Sequence, residues 1–208
     1  MSIYFNQDRN IMLTTCEDKI IRLWDLNSGQ LISNLVGHDS YITAIEWNEM
    51  DGRVISTDEN NRTILWDIKS NDIIVEWVLI DNSLLQFTED NYYYGSKSAV
   101  ENIYWIVNHH QIYPFEQFDL KYNRPDIVLA RLGYASPELI DAYYRAYQKR
   151  LKKMGFTEEQ LSGEFHIPET AIENFEYMPV IDEKDIEIDL NFNDSKYKLD
   201  RYNIWIND

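Results

Sequence analysis

The sequence predicts a mainly β fold with an α-helical insert, because its apolar period changes twice. Ile21–Leu26 (IRLWDL) returns 42 residues later as Thr63–Ile68 (TILWDI), within runs that alternate apolar and polar residues. Between residues 139 and 154 the apolar residues recur at three- and four-residue steps, and from Ile186 they alternate again. Alternation is typical of strands, and the longer step is typical of helices. We therefore expect β repeats first, helices next and β structure last.

The repeat has the length of a four-stranded unit. A Gly37-His38 pair lies between the two copies. In the second copy the predicted strands are Tyr41–Trp47, Val54–Thr57, Thr63–Ile68 and Ile73–Val78. A Trp-Asp pair that recurs every 40-odd residues, with a Gly-His between, resembles the blades of WD-repeat β-propellers. The resemblance implies a platform for protein–protein interaction and names no partner.

The same resemblance implies a structural role for a few polar residues. In WD blades a His, a Ser or Thr, an Asp and a Trp form one hydrogen-bonded set. In the second copy His38, Ser56 and Trp66 match this pattern, and Asn60 stands where the Asp is expected. A ligand or a catalytic base is the alternative role for His38. The Gly-His context favours the structural role.

The first copy matches the pattern less completely. It keeps Asp18 six residues before Trp24, lacks a preceding Gly-His, and has Cys16 near its hydroxyl position. A catalytic Cys needs a base nearby and a lowered pKa, and Glu17 and Asp18 oppose thiolate formation. We therefore expect Cys16 to be an ordinary blade residue, so neither copy is predicted to hold a complete set.

The register of the repeat predicts a truncated first blade. Shifted by 42 residues, residues 3–6 align with the end of the first strand of the next copy. We therefore expect residues 1–80 to hold two blades that start in mid-blade. Propellers need about four to eight blades to close. Open blades leave strand edges, through which the chain could form an oligomer.

The charge balance excludes some classes of partner. The chain has 36 acidic and 19 basic residues, a formal charge of −17. Nucleic acid and anionic membrane surfaces are therefore poor partners. There is no secretory signal and no run of 18 apolar residues, so the expected location is cytoplasmic. The single Cys excludes an internal disulfide framework.

Residues 81–122 are predicted to be a degenerate last blade and a connector. Tyr92–Ser96 has the pattern of a strand and turn, and Ile103–Val107 that of another strand. The His109-His110 pair follows it. Adjacent strand residues point to opposite faces, so these two are not expected to bind one metal ion together, and a loop is expected. His166 is distant, and no zinc-like spacing of ligands is present.

Residues 123–165 are predicted to be a helical linker. Asn123 can cap and Pro125 can begin a short helix at Ile127–Leu132, which Gly133 ends. Ser136-Pro137-Glu138 starts a longer helix that ends at Gly155. Its predicted apolar stripe comprises Leu139, Tyr143, Ala146, Tyr147, Leu151 and Met154. The basic run Lys149–Lys153 either complements the helix C-terminus, the favoured role, or binds an acidic partner.

Residues 166–208 are predicted to begin a β-sandwich-like module. Ile186–Phe192 alternates apolar and acidic or amide residues, Asn193-Asp194-Ser195 supplies a turn, and Tyr202–Ile206 alternates again. Two or three strands cannot form a whole sandwich, so a partial module is expected.

Three runs add a second resemblance. Tyr113–Asp126, Lys149–Phe156 and Leu199–Asp208 resemble the segment that follows the propeller in large bacterial WD-repeat proteins with a downstream caspase-like peptidase domain. The resemblance implies that the catalytic His and Cys lie in a domain that this chain lacks. No residue here inherits a catalytic role from it.

Two functions from different classes follow, and neither requires a cofactor. The leading hypothesis is a non-catalytic protein-interaction or regulatory segment, a fragment of a WD-repeat caspase-like protein. The alternative is a free-standing WD-repeat adaptor that another chain completes. An unrecognised hydrolase has no phosphate loop, nucleophile elbow or metal-ligand set to support it. We expect a protein partner, with no catalytic, cofactor-binding or metal residues.

Overall fold

The computed structural model describes residues 2–6, 10–48, 51–107, 111–162, 169–172 and 189–194. The chain divides into two compact units, Met1–Thr157 and Glu158–Asp208. The first unit holds antiparallel sheets followed by helices, which confirms the predicted mainly β fold with an α-helical insert.

The first sheet has four antiparallel strands in chain order. They are β1 (Ser2–Asn6), β2 (Ile11–Thr15), β3 (Ile21–Asp25) and β4 (Leu31–Leu35). Strand β1 pairs with β2 along all five of its residues. The sequence predicted that most of this first strand would be lacking. The structure instead shows a strand of five residues where the equivalent strand of the next repeat has six.

The second sheet has six antiparallel strands. They are β5 (Ile42–Trp47), β6 (Val54–Asp58), β7 (Thr63–Asp67), β8 (Asp72–Ile80), β9 (Ser83–Phe87) and β10 (Tyr93–Gly95). The sequence predicted a separate, degenerate blade beyond residue 80. The structure adds β9 and β10 to the second sheet instead. Asp81 and Asn82 both have positive φ, the conformation of the tight two-residue turn that folds β9 directly onto β8.

The two sheets pack face to face and enclose one apolar core. The buried residues of this core are Leu13, Ile21, Leu23 and Leu35 from the first sheet and Ile45, Val54, Ile64 and Trp66 from the second. Gly37 lies in the connection between the sheets, and a Cβ there would come within 2.8 Å of both Trp66 and Ile73. Close packing therefore requires glycine at this position.

A short helix α1 (Lys97–Val100) leads to a hairpin of β11 (Tyr104–Val107) and β12 (Gln111–Pro114). The hairpin confirms the strand predicted at Ile103–Val107, whereas His109-His110 lies outside the described residues. A 3₁₀ turn (Phe115–Gln117) and helix α2 (Asp119–Tyr122) follow. Trp105 stacks on Tyr122 with ring centroids 4.7 Å apart, which fixes the hairpin to α2.

Two longer helices complete the first unit: α3 (Pro125–Leu132) and α4 (Pro137–Met154). Gly133 and Gly155 end them with φ of 76° and 77°, as predicted. The expected capping role of Asn123 is wrong. Arg124 is the N-cap residue of α3 without a capping side chain, and the Asn123 amide donates to Asp119 Oδ1 at 2.8 Å. Ser136 caps α4 through the backbone N–H of Leu139.

The buried side of α4 is narrower than the predicted stripe. Tyr147 and Leu151 are buried, whereas Leu139, Ala146 and Met154 are exposed. Tyr147 lies beneath the guanidinium of Arg124, 3.9 Å from its ring centroid. This contact with the start of α3 decides which part of the stripe is covered.

The second unit begins with α5 (Glu158–Ser162), followed by the paired strands β13 (Glu169–Ile172) and β14 (Leu190–Asn193). Strand β14 includes the last three residues of the alternating run predicted at Ile186–Phe192, and it extends to Asn193, which was predicted to begin a turn. The second predicted strand, Tyr202–Ile206, lies outside the described residues.

Candidate interaction surface

A buried hydrogen-bonded network connects His38 with strands β6 and β7. His38 Nδ1 lies 3.0 Å from Asp58 Oδ2, and His38 Nε2 lies 2.6 Å from Ser56 Oγ. Trp66 Nε1–H donates to the same Ser56 oxygen at 2.7 Å. The strand alternation explains this geometry, because Ser56 and Asp58 are two residues apart and project from one face of β6. The structure thus brings together the predicted residues His38, Ser56 and Trp66.

The carboxylate of this network is Asp58, so the expectation that Asn60 occupies this position is wrong. Asn60 lies in the turn beyond β6 and donates its backbone N–H to Asp58 Oδ1 at 3.0 Å. The backbone N–H of Arg62 donates to the same oxygen at 3.1 Å. Asp58 therefore holds the β6–β7 turn with one oxygen and His38 with the other. The second copy has a complete set, where the sequence predicted an incomplete one.

The burial of this network favours a neutral His38. Burial lowers the pKa of His38, and the opposing effect of the Asp58 carboxylate does not overcome it. The neutral ring donates from Nδ1 to Asp58 and accepts at Nε2 from the Ser56 hydroxyl. Ser56 in turn accepts from Trp66, so every polar group in this row has its partner.

The order Ser56, His38, Asp58 is also the connectivity of a hydrolytic triad. A nucleophilic hydroxyl must reach a substrate, but Ser56 is only 1% exposed. Its oxygen already accepts the indole N–H of Trp66, which would oppose attack on a carbonyl. The arrangement therefore stabilises the blade and supplies no accessible nucleophile.

The first copy retains part of the same arrangement. Trp24 Nε1–H donates to Thr14 Oγ1 at 2.9 Å, so Thr14 takes the place of Ser56. Cys16 is exposed and occupies the position of Asp58, not the hydroxyl position that the sequence indicated. Asp18 does not join Trp24 and instead forms an ion pair with Arg22 at 2.5 Å. The 42-residue register could have identified both Thr14 and Asp58.

The repeat makes the two sheets comparable face by face. A cross-strand row in the second sheet, Trp47, Val54, Trp66 and Ile73, packs against the first sheet. The equivalent row in the first sheet is Phe5, Met12, Trp24 and Leu31, with the same pairing. Both sheets also have a register shift before the Trp of this row. The rows are therefore equivalent in structure as well as in sequence.

These equivalent rows differ sharply in exposure. Val54 and Trp66 are fully buried, whereas Phe5 is 63% exposed and Leu31 45% exposed. Ile3, on the same face as Phe5, is 46% exposed. We call this surface the free face, and it consists of Ile3, Phe5, Met12, Trp24 and Leu31. A contiguous apolar sheet surface of this kind is typical of an interaction site.

The opposite faces of the two sheets are both covered. In the first sheet, Leu13 and Leu23 pack against the second sheet. Their equivalents in the second sheet, Ile55 and Leu65, pack against Val128 and other apolar residues of α3. Helix α3 therefore occupies, on the second sheet, the position that the second sheet occupies on the first.

The part of the chain that the structure describes contains no group of three metal-ligating side chains. Within that same part, no helix has the length and apolarity needed to cross a membrane. Near the end of α4, Lys149, Lys152 and Lys153 are exposed, and Arg150 binds Asp119 Oδ2 at 3.2 Å. The predicted basic run is thus partly engaged with α2.

Comparison with known proteins identifies the repeats. Residues 1–25 and 29–67 match the family described as WD domain, G-beta repeat. The SIR4-interacting protein SIF2 of Saccharomyces cerevisiae is 28% identical over 102 residues, 49% of this chain and 19% of that protein. The serine-threonine kinase receptor-associated protein of Gallus gallus is 37% identical over 68 residues, 32% of this chain and 19% of that protein.

A solved structure, the C-terminal WD40 domain of Sif2, is also similar, with 24% identity and a TM-score of 0.36. The similarity covers 45% of this chain and 30% of that one. The chain thus spans about a fifth of the length of the two curated relatives named above. Residues 1–25 and 29–67 are therefore similar to WD40 repeats.

Proposed function

We propose that this chain is a non-catalytic protein-interaction or regulatory segment at the end of a WD-repeat array, in a cytoplasmic bacterial protein with a caspase-like peptidase domain. The position of α3 is the observation that carries the proposal. Val128 is fully buried against the face of the second sheet on which a further blade would pack. A helix at this position ends the series of blades.

Polar contacts fix the helix pair to the second sheet. Arg53 donates to the carbonyl of Leu132 at 2.5 Å, at the end of α3. Arg131 holds Asp90 through two hydrogen bonds of 2.6 Å. Tyr134 donates to Asp51 at 2.6 Å. Because of these contacts, a displacement of the second sheet would also displace α3 and α4. A regulatory linker requires such a connection.

The peptidase part of the proposal rests on the resemblance of Tyr113–Asp126, Lys149–Phe156 and Leu199–Asp208 to the linker of WD-repeat caspase-like proteins. In the structure, the first of these runs forms the connection from β12 through α2 into α3. The second forms the end of α4, where Arg150 binds Asp119. Two of the three runs therefore build the helical linker itself.

Peptidase assays on the isolated chain and on the parent protein test this proposal. We expect the parent reading frame to encode a His- and Cys-bearing domain after Asp208 and the isolated chain to hydrolyse no fluorogenic peptide. In the parent, Val128→Asp should detach α3 and change the rate of peptide hydrolysis. Ala130→Asp, at an exposed position of the same helix, is the matched control and should not. Hydrolysis by the isolated chain, or equal effects of both variants, would refute the proposal.

The free face supports a second candidate function, a free-standing WD-repeat adaptor completed by another chain. The row of Phe5, Met12, Trp24 and Leu31 remains uncovered although its equivalent is a blade–blade interface. This function requires a defined complex that buries the free face. Sedimentation of the purified chain tests it first, because a stable monomer that binds no WD-repeat protein would count against it.

A further inference from the structure

We propose that the outer face of α4 binds an acidic amphipathic helix of a partner protein through three lysines near its end. The inference rests on the protein-interaction function proposed above and deepens it by naming the chemistry of the partner. We call the side chains of Lys149, Lys152 and Lys153 the lysine patch. All three are exposed, and their spacing of three and four residues places them on one side of the helix.

Ion pairing distinguishes the lysine patch from most other cations of the chain. Every arginine that the structure describes forms an ion pair with a carboxylate. Among the described residues, the lysines of the patch form no ion pair and no side-chain hydrogen bond. The chain has 36 acidic and 19 basic residues, so carboxylates are abundant. The lysine patch is therefore available to an acidic group from outside the first unit's own contacts.

The fold divides the basic run at the end of α4 into two parts. Arg150 binds Asp119 Oδ2 at 3.2 Å, and Leu151 is buried. These two side chains attach α4 to the rest of the first unit. The lysine patch takes no part in that attachment and remains exposed.

The end of α4 does not need the lysine patch for capping. The backbone N–H of Phe156 donates to the carbonyl of Leu151 at 3.0 Å, and Gly155 closes the last turn in the left-handed conformation. Lys149 lies before the last turn, where the helix dipole has little effect. Like charges three and four residues apart also repel one another. The patch thus destabilises the free helix and would be stabilised by a bound anion.

The small size of the lysine patch selects a short acidic partner. Lys149 and Lys153 are separated by about 6 Å along the helix axis. Duplex DNA carries a charge every ~1.7 Å, and an anionic membrane is a wide surface, so both would also meet the acidic remainder of a chain with a formal charge of −17. A short segment places its carboxylates on the patch alone. Salt screens its repulsion from more distant acids beyond about 8 Å.

Small and apolar residues continue the same face towards the start of α4. Leu139, Ala142 and Ala146 are exposed and precede Lys149 at steps of three and four residues. The alanines leave room for the side chains of a second helix. A helix antiparallel to α4 would place its apolar residues on this stripe and its first turns on the lysine patch. Acidic residues are favourable in the first turns of a helix, so both requirements agree.

A synthetic peptide provides the probe. It carries a fluorescent label, Glu in its first turns, and Leu along one face of its later turns. Titrated with the full chain at physiological ionic strength, it should show a saturable rise in fluorescence anisotropy. Lys149→Gln with Lys153→Gln should weaken the affinity about 3- to 25-fold, since each exposed ion pair contributes at most about fivefold. A peptide with Gln in place of Glu should lose affinity by a similar factor or more.

Two matched controls separate local contact from a general effect of charge. Lys69→Gln with Lys97→Gln removes the same charge from exposed lysines outside α4 and should leave the affinity unchanged. Ala146→Arg adds a positive charge and should nevertheless weaken binding, because its side chain fills the space of the apolar contact. Ala130→Arg adds the same charge at an exposed position of α3 and should not weaken binding.

Four results would overturn the proposal. Two are absence of peptide binding by the folded chain, and equal weakening by the two pairs of lysine substitutions. The third is binding of phosphatidylserine vesicles in place of the peptide, which would assign the patch to a membrane. The fourth is a dimer in sedimentation that the Lys149→Gln, Lys153→Gln chain no longer forms, which would assign it to a second copy. None of these results affects the peptidase part of the proposed function, which is tested by hydrolysis.

Discussion

Removal of the Ser56 hydroxyl tests the buried network most directly. Ser56 is 1% exposed, and its oxygen forms hydrogen bonds with both His38 and Trp66. In Ser56→Ala the indole N–H loses its acceptor and His38 Nε2 loses its donor. Both groups lie where water does not reach them, so neither recovers a partner.

The expected loss of stability follows from these two groups, each left without a hydrogen-bond partner. A buried donor or acceptor left without a partner costs about 1–3 kcal/mol. We therefore expect Ser56→Ala to lower the free energy of unfolding by roughly 2–6 kcal/mol. The internal repeat supplies the control, because Thr14 bonds Trp24 alone and both side chains are half-buried. Thr14→Val should cost about 1 kcal/mol, the net value of a single hydrogen bond.

Equilibrium urea unfolding at pH 7.5, followed by tryptophan fluorescence and circular dichroism, measures both costs. The comparison requires that the unfolding free energy of each variant depends on urea concentration with the same slope. A shift in the unfolding midpoint then reports a change in stability alone. Ser56→Ala should exceed Thr14→Val by at least about 1 kcal/mol. Equal costs, or a Ser56→Ala cost below about 1 kcal/mol, would refute the role of this hydroxyl as a shared hydrogen-bonding centre.

Three further predictions concern buried groups of the first unit. Because burial lowers the pKa of His38, the unfolded chain takes up its proton first, so stability should fall as pH drops below about 6.5 and level off below the folded-state pKa. His38→Gln should remove this slope in pH-dependent urea unfolding, and an unchanged slope would contradict the assignment. Gly37→Ala places a Cβ 2.8 Å from Trp66 and should cost about 1–3 kcal/mol by thermal or urea unfolding; a neutral result would show that the sheets can separate. Arg124→Met leaves the buried Asp126 carboxylate without its guanidinium, 2.8 Å away, and should cost about 3–5 kcal/mol. Rescue by adding Asp126→Asn would support this cause, and a cost below about 1 kcal/mol would exclude it.

The residues of the His38 network show which contacts a sequence motif predicts and which it does not. His38, Ser56 and Trp66 follow from the motif, and the structure brings them within hydrogen-bonding distance. An offset of six residues before the Trp points to Asn60, whereas the alternation of β6 points to Asp58. Ser56 and Asp58 are two residues apart on β6 and share a face, whereas Asn60 lies past the end of the strand. Strand alternation was the signal that would have identified it.

In the helical segment, the sequence predicts where the helices end but not which side of α4 is buried. The ends of α3 and α4 were predictable, because glycine in the left-handed conformation and a capping Ser act within one turn of the chain. The side of α4 that is buried was not predictable from the sequence. Leu139 and Tyr147 both belong to the apolar stripe, and the stacking of Arg124 on Tyr147 decides that only the latter is buried.

The sequence by itself determined the two repeats, their strands, the helix ends and the residues of the His38 network that belong to the motif. These features depend on period, turn chemistry and neighbours within a few residues. Only the tertiary structure decided that β9 and β10 join the second sheet, that α3 covers the face of that sheet, and that the equivalent of a blade–blade interface remains free on the first sheet. Each of these depends on which apolar faces meet. Equivalent local patterns cannot specify that, because burial depends on the partner surface and not on the strand itself. The two equivalent rows are Phe5, Met12, Trp24 and Leu31, and Trp47, Val54, Trp66 and Ile73.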